Sequence, residues 1–136
     1  MIILTDKTID VQQVIRSVET KDAGALNVFI GTVRNNAKGK NVIQLEFEAY
    51  ETMAVAEMKT IVEEAFRRWS LLHCSVSHRV GVLVPGETAV VIAVSSPHRK
   101  ESFEACQYII DTLKLTVPIW KKEVFEGGEE WVSAHP

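Results

Sequence analysis

Two lysines seven residues apart, Lys114 and Lys121, flank Pro118 in the segment 95–123, SSPHRKESFEACQYIIDTLKLTVPIWKKE. A lysine at a helix end and another on the strand that follows can meet over one pocket. There, mutual repulsion and lost hydration favour a neutral amine able to attack a carbon or carry a proton. The same positions also suit ordinary lysine stems that cover apolar surface and keep their charge in water. His98 and Arg99 stand at the other end of the segment. With Ser95-Ser96-Pro97 as helix entry, a serine at the N-cap and Pro97 as the first helical residue, the first amides and these two side chains would face one small volume, suited to phosphate or carboxylate. A solvent-facing pair explains them equally well. Arg34 ends an apolar strand with the Thr32–Val33 backbone beside it, and is better placed to hold an anion than Lys38 or Lys40 on the loop beyond.

These residues need elements to position them. The spacing of Phe103, Cys106, Ile110 and Leu113 predicts a helix with one buried stripe, stopped by Pro118. Ile119 to Phe125 then reads as a strand, with Trp120 and Lys122 on one side and Lys121 and Glu123 on the other. A turn at 126–129 and a last strand from Glu130 to Ala134 make a small C-terminal hairpin. Upstream, a short strand at 2–5 precedes a helix capped by Asp10 or Thr8, with Val11, Val14, Ile15 and Val18 on one face. Ala25 to Val33 is apolar enough for a buried strand, and Val42 to Tyr50 alternates Leu45, Phe47 and Ala49 against Gln44, Glu46 and Glu48. A helix from Thr52 to Trp69 would bury Met58, Ile61, Val62, Ala65 and Trp69, leaving Arg67 and Arg68 at a solvated end. Cys74 to Leu83 and Thr88 to Ser95 read as two strands forming a hairpin across Pro85-Gly86. Hairpins alternating with helices predict an α+β fold, an antiparallel or mixed sheet with helices packed on it.

The totals narrow the field. A chain of 136 residues, 46% hydrophobic and 24% charged, is read as a single domain spanning 1–136 that needs no staples. A net charge of −3 argues against a nucleic-acid binder, which needs surplus Lys and Arg to displace counterions. The N-terminal run Met1-Ile2-Ile3-Leu4 is too short for a signal peptide or a membrane span, so a cytoplasmic protein without membrane contact is expected. Cys74 and Cys106 show neither C-x-x-C spacing nor a metal-type cluster, and both read as buried thiols. The chain lacks G-x-S-x-G, a Walker loop, G-x-G-x-x-G and H-E-x-x-H, so no metal or cofactor is called for.

Several motifs, in order and at matching spacing from about residue 25 to Val132, resemble the large, catalytic subunit of molybdopterin synthase. They are Phe29-Ile30-Gly31-Thr32-Val33-Arg34-Asn35, His78-Arg79-Val80-Gly81 with Pro85-Gly86-Glu87, Ser96-Pro97-His98-Arg99, and Leu113-Lys114 through Pro118-Ile119-Trp120-Lys121-Lys122-Glu123. The fold to expect is α/β-hammerhead-like. The resemblance implies a sulfurtransferase of molybdenum cofactor biosynthesis that converts cyclic pyranopterin monophosphate to molybdopterin by installing two dithiolene sulfurs. It implies that the sulfur arrives as a thiocarboxylate on the C-terminal Gly-Gly tail of a small ubiquitin-like carrier subunit. It implies a homodimer of this chain, forming a heterotetramer with the carrier. The essential lysines of the family fall on Lys114 and Lys121. Thr32, Val33, Arg34, His98, Arg99, Lys122 and Glu123 match the remaining substrate-pocket positions. His135 stands near where some members of the family place an Arg.

Fifteen residues separate Arg99 from Lys114, about 22 Å in a continuous helix. One small substrate cannot touch both within one chain, so either the helix is broken or His98 and Arg99 serve the pocket of a second copy. A non-catalytic module holding a phosphorylated small molecule through Arg34, His98 and Arg99 is the alternative.

Overall fold

The computed structural model of the chain describes residues 1–133. Its first sheet has four strands in the order β1 (Ile2–Thr5), β5 (His73–Arg79), β7 (Thr88–Ser96), β2 (Ala25–Thr32). β1 runs parallel to β5, and the other pairings are antiparallel. β7 carries an unbroken apolar run because both of its faces are covered. Val91 and Ala93 face the helix α1 (Val11–Arg16) with Val14 and Val18, whereas Val90, Ile92 and Val94 join the main core. That core is closed by α2 (Glu51–Arg68) and α3 (Arg99–Thr116). Asp10 caps α1 by accepting from the Gln13 amide at 3.1 Å, and Ser17 and Ser75 join their hydroxyls at 2.6 Å beneath it.

The second sheet runs β3 (Asn36–Ala37), β4 (Lys40–Ala49), β8 (Ile119–Phe125), β9 (Gly128–Ser133), with β6 (Gly81–Leu83) also paired to β4. Val42, Leu45, Phe47, Ile119 and Phe125 point inward and extend the same core. The α+β expectation and the C-terminal hairpin hold, and among the described residues no helix is long and apolar enough to cross a membrane.

Four expectations change. The strand expected over 74–83 is two strands in different sheets, because Gly81 adopts φ +98°, a left-handed conformation that glycine takes at little cost. The hairpin across Pro85-Gly86 therefore pairs only β5 with β7, while β6 leaves for β4. Neither serine is a helix cap and Pro97 is not the first helical residue: β7 continues through Ser96, His98 is the N-cap without a side-chain bond, and α3 starts at Arg99. Ser95 and Ser96 are instead buried, accepting from the His73 amide at 3.1 Å and donating to the His98 carbonyl at 2.6 Å. Phe103 is 60% exposed; the buried face of α3 runs through Ser102, Ala105, Cys106, Ile109, Ile110 and Leu113. The strand expected over 130–134 is described only as far as Ser133.

Both cysteines are buried, and burial pushes their thiols up to about 12 for Cys74 and about 11 for Cys106. Ile92, fully buried in the strand shared by both faces of the first sheet, offers a direct measure of this packing. Ile92→Ala is expected to destabilise the chain by about 2–5 kcal/mol, seen as a lower urea midpoint at unchanged slope.

Candidate active site

A cavity of about 110 Å³ opens beside the last turn of α3, where the two sheets meet. Much of its wall is apolar, from Phe29 of β2, Phe47 of β4, Val90 of β7, Leu113 of α3 and Ile119 of β8. Part of its floor is a row of three residues side by side across β2, β7 and β5: Gly31, Val90 and His78. A Cβ on Gly31 would stand 2.6 Å from Val90 Cγ1 and 3.2 Å from the Phe29 ring, so its absence keeps this part of the floor open. The polar side chains on the wall are Thr32, His78, Lys114 and Lys121.

Lys114 and Lys121 thus meet over one pocket. Lys114 leaves α3 in its last turn, and Lys121 stands on β8 opposite Phe47 of β4. Burial strips water from the Lys114 amine, and the charges of Lys121 and then Arg34 add to it, so its pKa is held below the ordinary lysine value. Arg34 is exposed just past β2 and does not line the cavity, yet its charge reaches Lys114. Thr32 and Val33 both line the cavity, and the Val33 backbone is engaged with the neighbouring turn. The Val33 amide donates to the Glu87 carbonyl at 2.9 Å and the Val33 carbonyl accepts from Gly86 at 2.8 Å, so both groups are spent on the turn that follows β6. Glu87 stiffens that turn by accepting from the Val84 amide at 2.8 Å and pairing with Arg79 at 3.1 Å. Those two contacts, the amide first, hold its carboxyl below the usual range.

His98 and Arg99 are elsewhere. Both are exposed and border a separate open depression with Gly24, Pro97 and Lys100, at the far end of an unbroken α3. Lys122 does not reach the cavity: it points to the other face of β8, its Nζ 2.8 Å from Glu46 and 3.8 Å from Glu129, over the Trp131 ring. That ion pair raises its pKa. Glu123 is 7% exposed on the inward face, opposite Leu45, and does not line the cavity. Arg67 and Arg68 both pair with Glu64 at 2.9 Å on the surface, a solvated helix end as expected. His135 lies outside the described residues.

Compared with known proteins, residues 4–116 match the family model described as "MoaE protein". The chain belongs to the MoaE family. It is 49% identical over 129 residues to the molybdopterin synthase catalytic subunit of Bacillus subtilis, covering 95% of this chain and 82% of the relative. The catalytic subunit of that name from Taeniopygia guttata is 50% identical, with coverage of 94% and 83%. The crystal structure of molybdopterin synthase from Staphylococcus aureus superimposes with a TM-score of 0.91 at 39% identity, covering 95% of this chain and 94% of that one.

One cavity residue of this MoaE-family chain had no role assigned from sequence. His78 is 5% exposed, its Nδ1–H donates to the Arg79 carbonyl at 2.8 Å, and its ring meets Phe47 edge-on at 5.5 Å. Its sequence signal is slight, a histidine next to the serine of an apolar-serine alternation. Burial, with a smaller contribution from Lys114, lowers its pKa to about 4. The unfolded chain takes up a proton on His78 near pH 6.5, whereas the folded chain refuses it until near pH 4. Unfolding is therefore favoured by acid across that window. Stability should fall by roughly 3 kcal/mol between pH 6.5 and 4 on this account, and urea titrations of His78→Asn should lack that component.

Proposed function

We propose that this chain is the catalytic subunit of a molybdopterin synthase, converting cyclic pyranopterin monophosphate to molybdopterin with sulfur supplied as a thiocarboxylate by a small ubiquitin-like carrier. The observation that carries this reading is the meeting of Lys114 and Lys121 in one small, largely apolar cavity, in a chain about half identical to proteins bearing that name.

An apolar, narrow cavity suits an extended, side-chain-poor Gly-Gly tail better than a bulky peptide. An anionic thiocarboxylate placed there meets two amines in a poorly hydrated setting, where charge interactions are strong. Its sulfur forms the new bond to the substrate carbon as the carbon–oxygen bond there breaks, the oxygen taking a proton and leaving as water. The carrier's acyl carbon, now a thioester, then needs water to release the carrier as an ordinary carboxylate and leave the sulfur behind. Lys114, with its depressed pKa, is placed to meet the thiocarboxylate and the reacting carbon, and Lys121 to move a proton or hold developing negative charge. Arg34 supplies a further cation at the mouth. Neither Cys74 nor Cys106 is available as a sulfur relay, since both are buried with raised thiols.

His98 and Arg99 complete the site from a second copy. The unbroken α3 keeps them about 22 Å from Lys114 within one chain. β2 is an edge strand with Leu26 and Ile30 exposed, and Phe103 of α3 lies exposed beside it on an open groove. A twofold contact there would bring the start of one α3 toward the end of the other. Lys122 and Glu123 act in this reading by holding β8 in register beside Lys121.

With thiocarboxylated carrier and pterin precursor, Lys114→Ala should lose at least a hundredfold in dithiolene formation while still binding the carrier; full activity would overturn the assignment. Arg99→Ala and Lys114→Ala, each inactive alone, should regain about a quarter of wild-type activity when unfolded and refolded together, because half the dimers are mixed and each holds one intact pocket. No recovery would place Arg99 outside the site.

A further inference from the structure

We propose that His78 is the positioning residue for Lys114: its unprotonated Nε2 accepts a hydrogen bond from a water held by the Lys114 amine, and so fixes where that amine points in the cavity. The functional consequence rests on the cavity being the reaction site proposed above; the contact itself does not.

The tautomer comes first. A backbone carbonyl can only accept, so the 2.8 Å contact between His78 Nδ1 and the Arg79 carbonyl puts the ring proton on Nδ1 and the lone pair on Nε2. Among the described residues, Nε2 has no protein partner. The ring is also held edge-on by Phe47 and flanked in the sheet by Leu4 of β1 and Val90 of β7, so it has little freedom to turn. His78 and Lys114 line the same small cavity and no direct hydrogen bond joins them among the described residues, so a water inside the cavity makes the link.

The surroundings leave the amine few other acceptors. The charged groups facing Lys114 are Lys121 from β8 and Arg34 beyond β2, both donors with no acceptor capacity. The nearby carboxylates are engaged or turned away: Glu87 by Arg79 and the Val84 amide, Glu46 by Lys122 on the outer face. Glu123 does not line the cavity. The Thr32 hydroxyl is the remaining polar side chain on the wall, at the exposed end of β2. Arg79, next to His78 in sequence, faces Glu87 instead. Burial and the Lys114 charge both keep His78 neutral, so near pH 7 it accepts and does not compete as a cation. An amine crowded by donors is thereby steadied, through the water, by the Nε2 lone pair on the same wall.

A water-bridged hydrogen bond from the ammonium to Nε2 favours the charged form, so its loss should lower the Lys114 pKa further. His78→Asn tests this, because the Asn amide can still donate to the Arg79 carbonyl while the Nε2 acceptor is gone. Lysine Nζ titration by NMR should show Lys114 losing its proton roughly one pH unit lower in H78N than in the wild type. The limb of the pH–rate profile belonging to Lys114 should move with it, with kcat down roughly tenfold or more and KM little changed. An unchanged Lys114 midpoint in folded H78N overturns the proposal. The wild-type protein gives a second measurement that needs no variant: in a two-bond ¹H–¹⁵N spectrum, Nε2 should be unprotonated near pH 7 and its resonance should follow the Lys114 titration. A protonated Nε2, or one blind to Lys114, overturns it as well. Both titrations use the free protein, so they stand or fall separately from the dithiolene assay.

Discussion

Everything at the site hangs on the packing of β7 between two layers. Because α1 covers one face and α2 with α3 the other, β7 is fixed in position and register by apolar contacts on both sides. Its partners inherit that register. Val90 sets Gly31 on one flank and His78 on the other, and the chain leaving the strand at Ser96 enters α3 within three residues. The cavity floor and the helix that delivers Lys114 are thus consequences of one strand having no solvent face. The second sheet adds the remaining wall, and Gly81 is where the backbone crosses from one sheet to the other.

Onto this apolar frame the fold places positive charge without a matching carboxylate in the cavity. Lys114 and Lys121 share the wall, Arg34 stands outside it, and the carboxylates close by are used to build sheet and turn. An uncompensated charge of this kind works against stability, since burial removes water and like charges repel. Sites that retain such a cost are where ligand charge does the compensating. The turn at 84–87 shows the opposite policy: Glu87, Arg79 and the Val33 backbone satisfy one another, giving the strand end before Arg34 a fixed base.

Much of this was legible in the chain. Alternation in 42–50, the apolar run of β7 and the proline after α3 located the elements, because each reflects a single strong preference. The meeting of Lys114 with Lys121 was one of two readings of a helix end and the next strand, which a short connection brings close. Other features needed the third dimension. Phe103 has the right spacing for the buried stripe but sits at its edge, where only the position of β2 decides exposure. Ser95 and Ser96 have the composition of a cap, yet strand pairing to Ala25 and Leu26 outweighs it. That Lys121 and Lys122 face opposite ways, by contrast, was already read from strand alternation. His78 stayed hidden because its lone pair is defined by a backbone carbonyl that no side-chain pattern reveals.

The lowered proton affinity of Lys114 carries over to ligand binding itself. An anion arriving beside this amine restores the advantage of the charged form, so at a pH where the free amine has begun to lose its proton the complex draws protons from solution as it assembles. Occupancy of the cavity is then linked to pH without any conformational switch. The heat of association depends on the ionisation enthalpy of the buffer that supplies those protons. A neutral molecule of the same size and shape would enter the same cavity and leave the proton count unchanged.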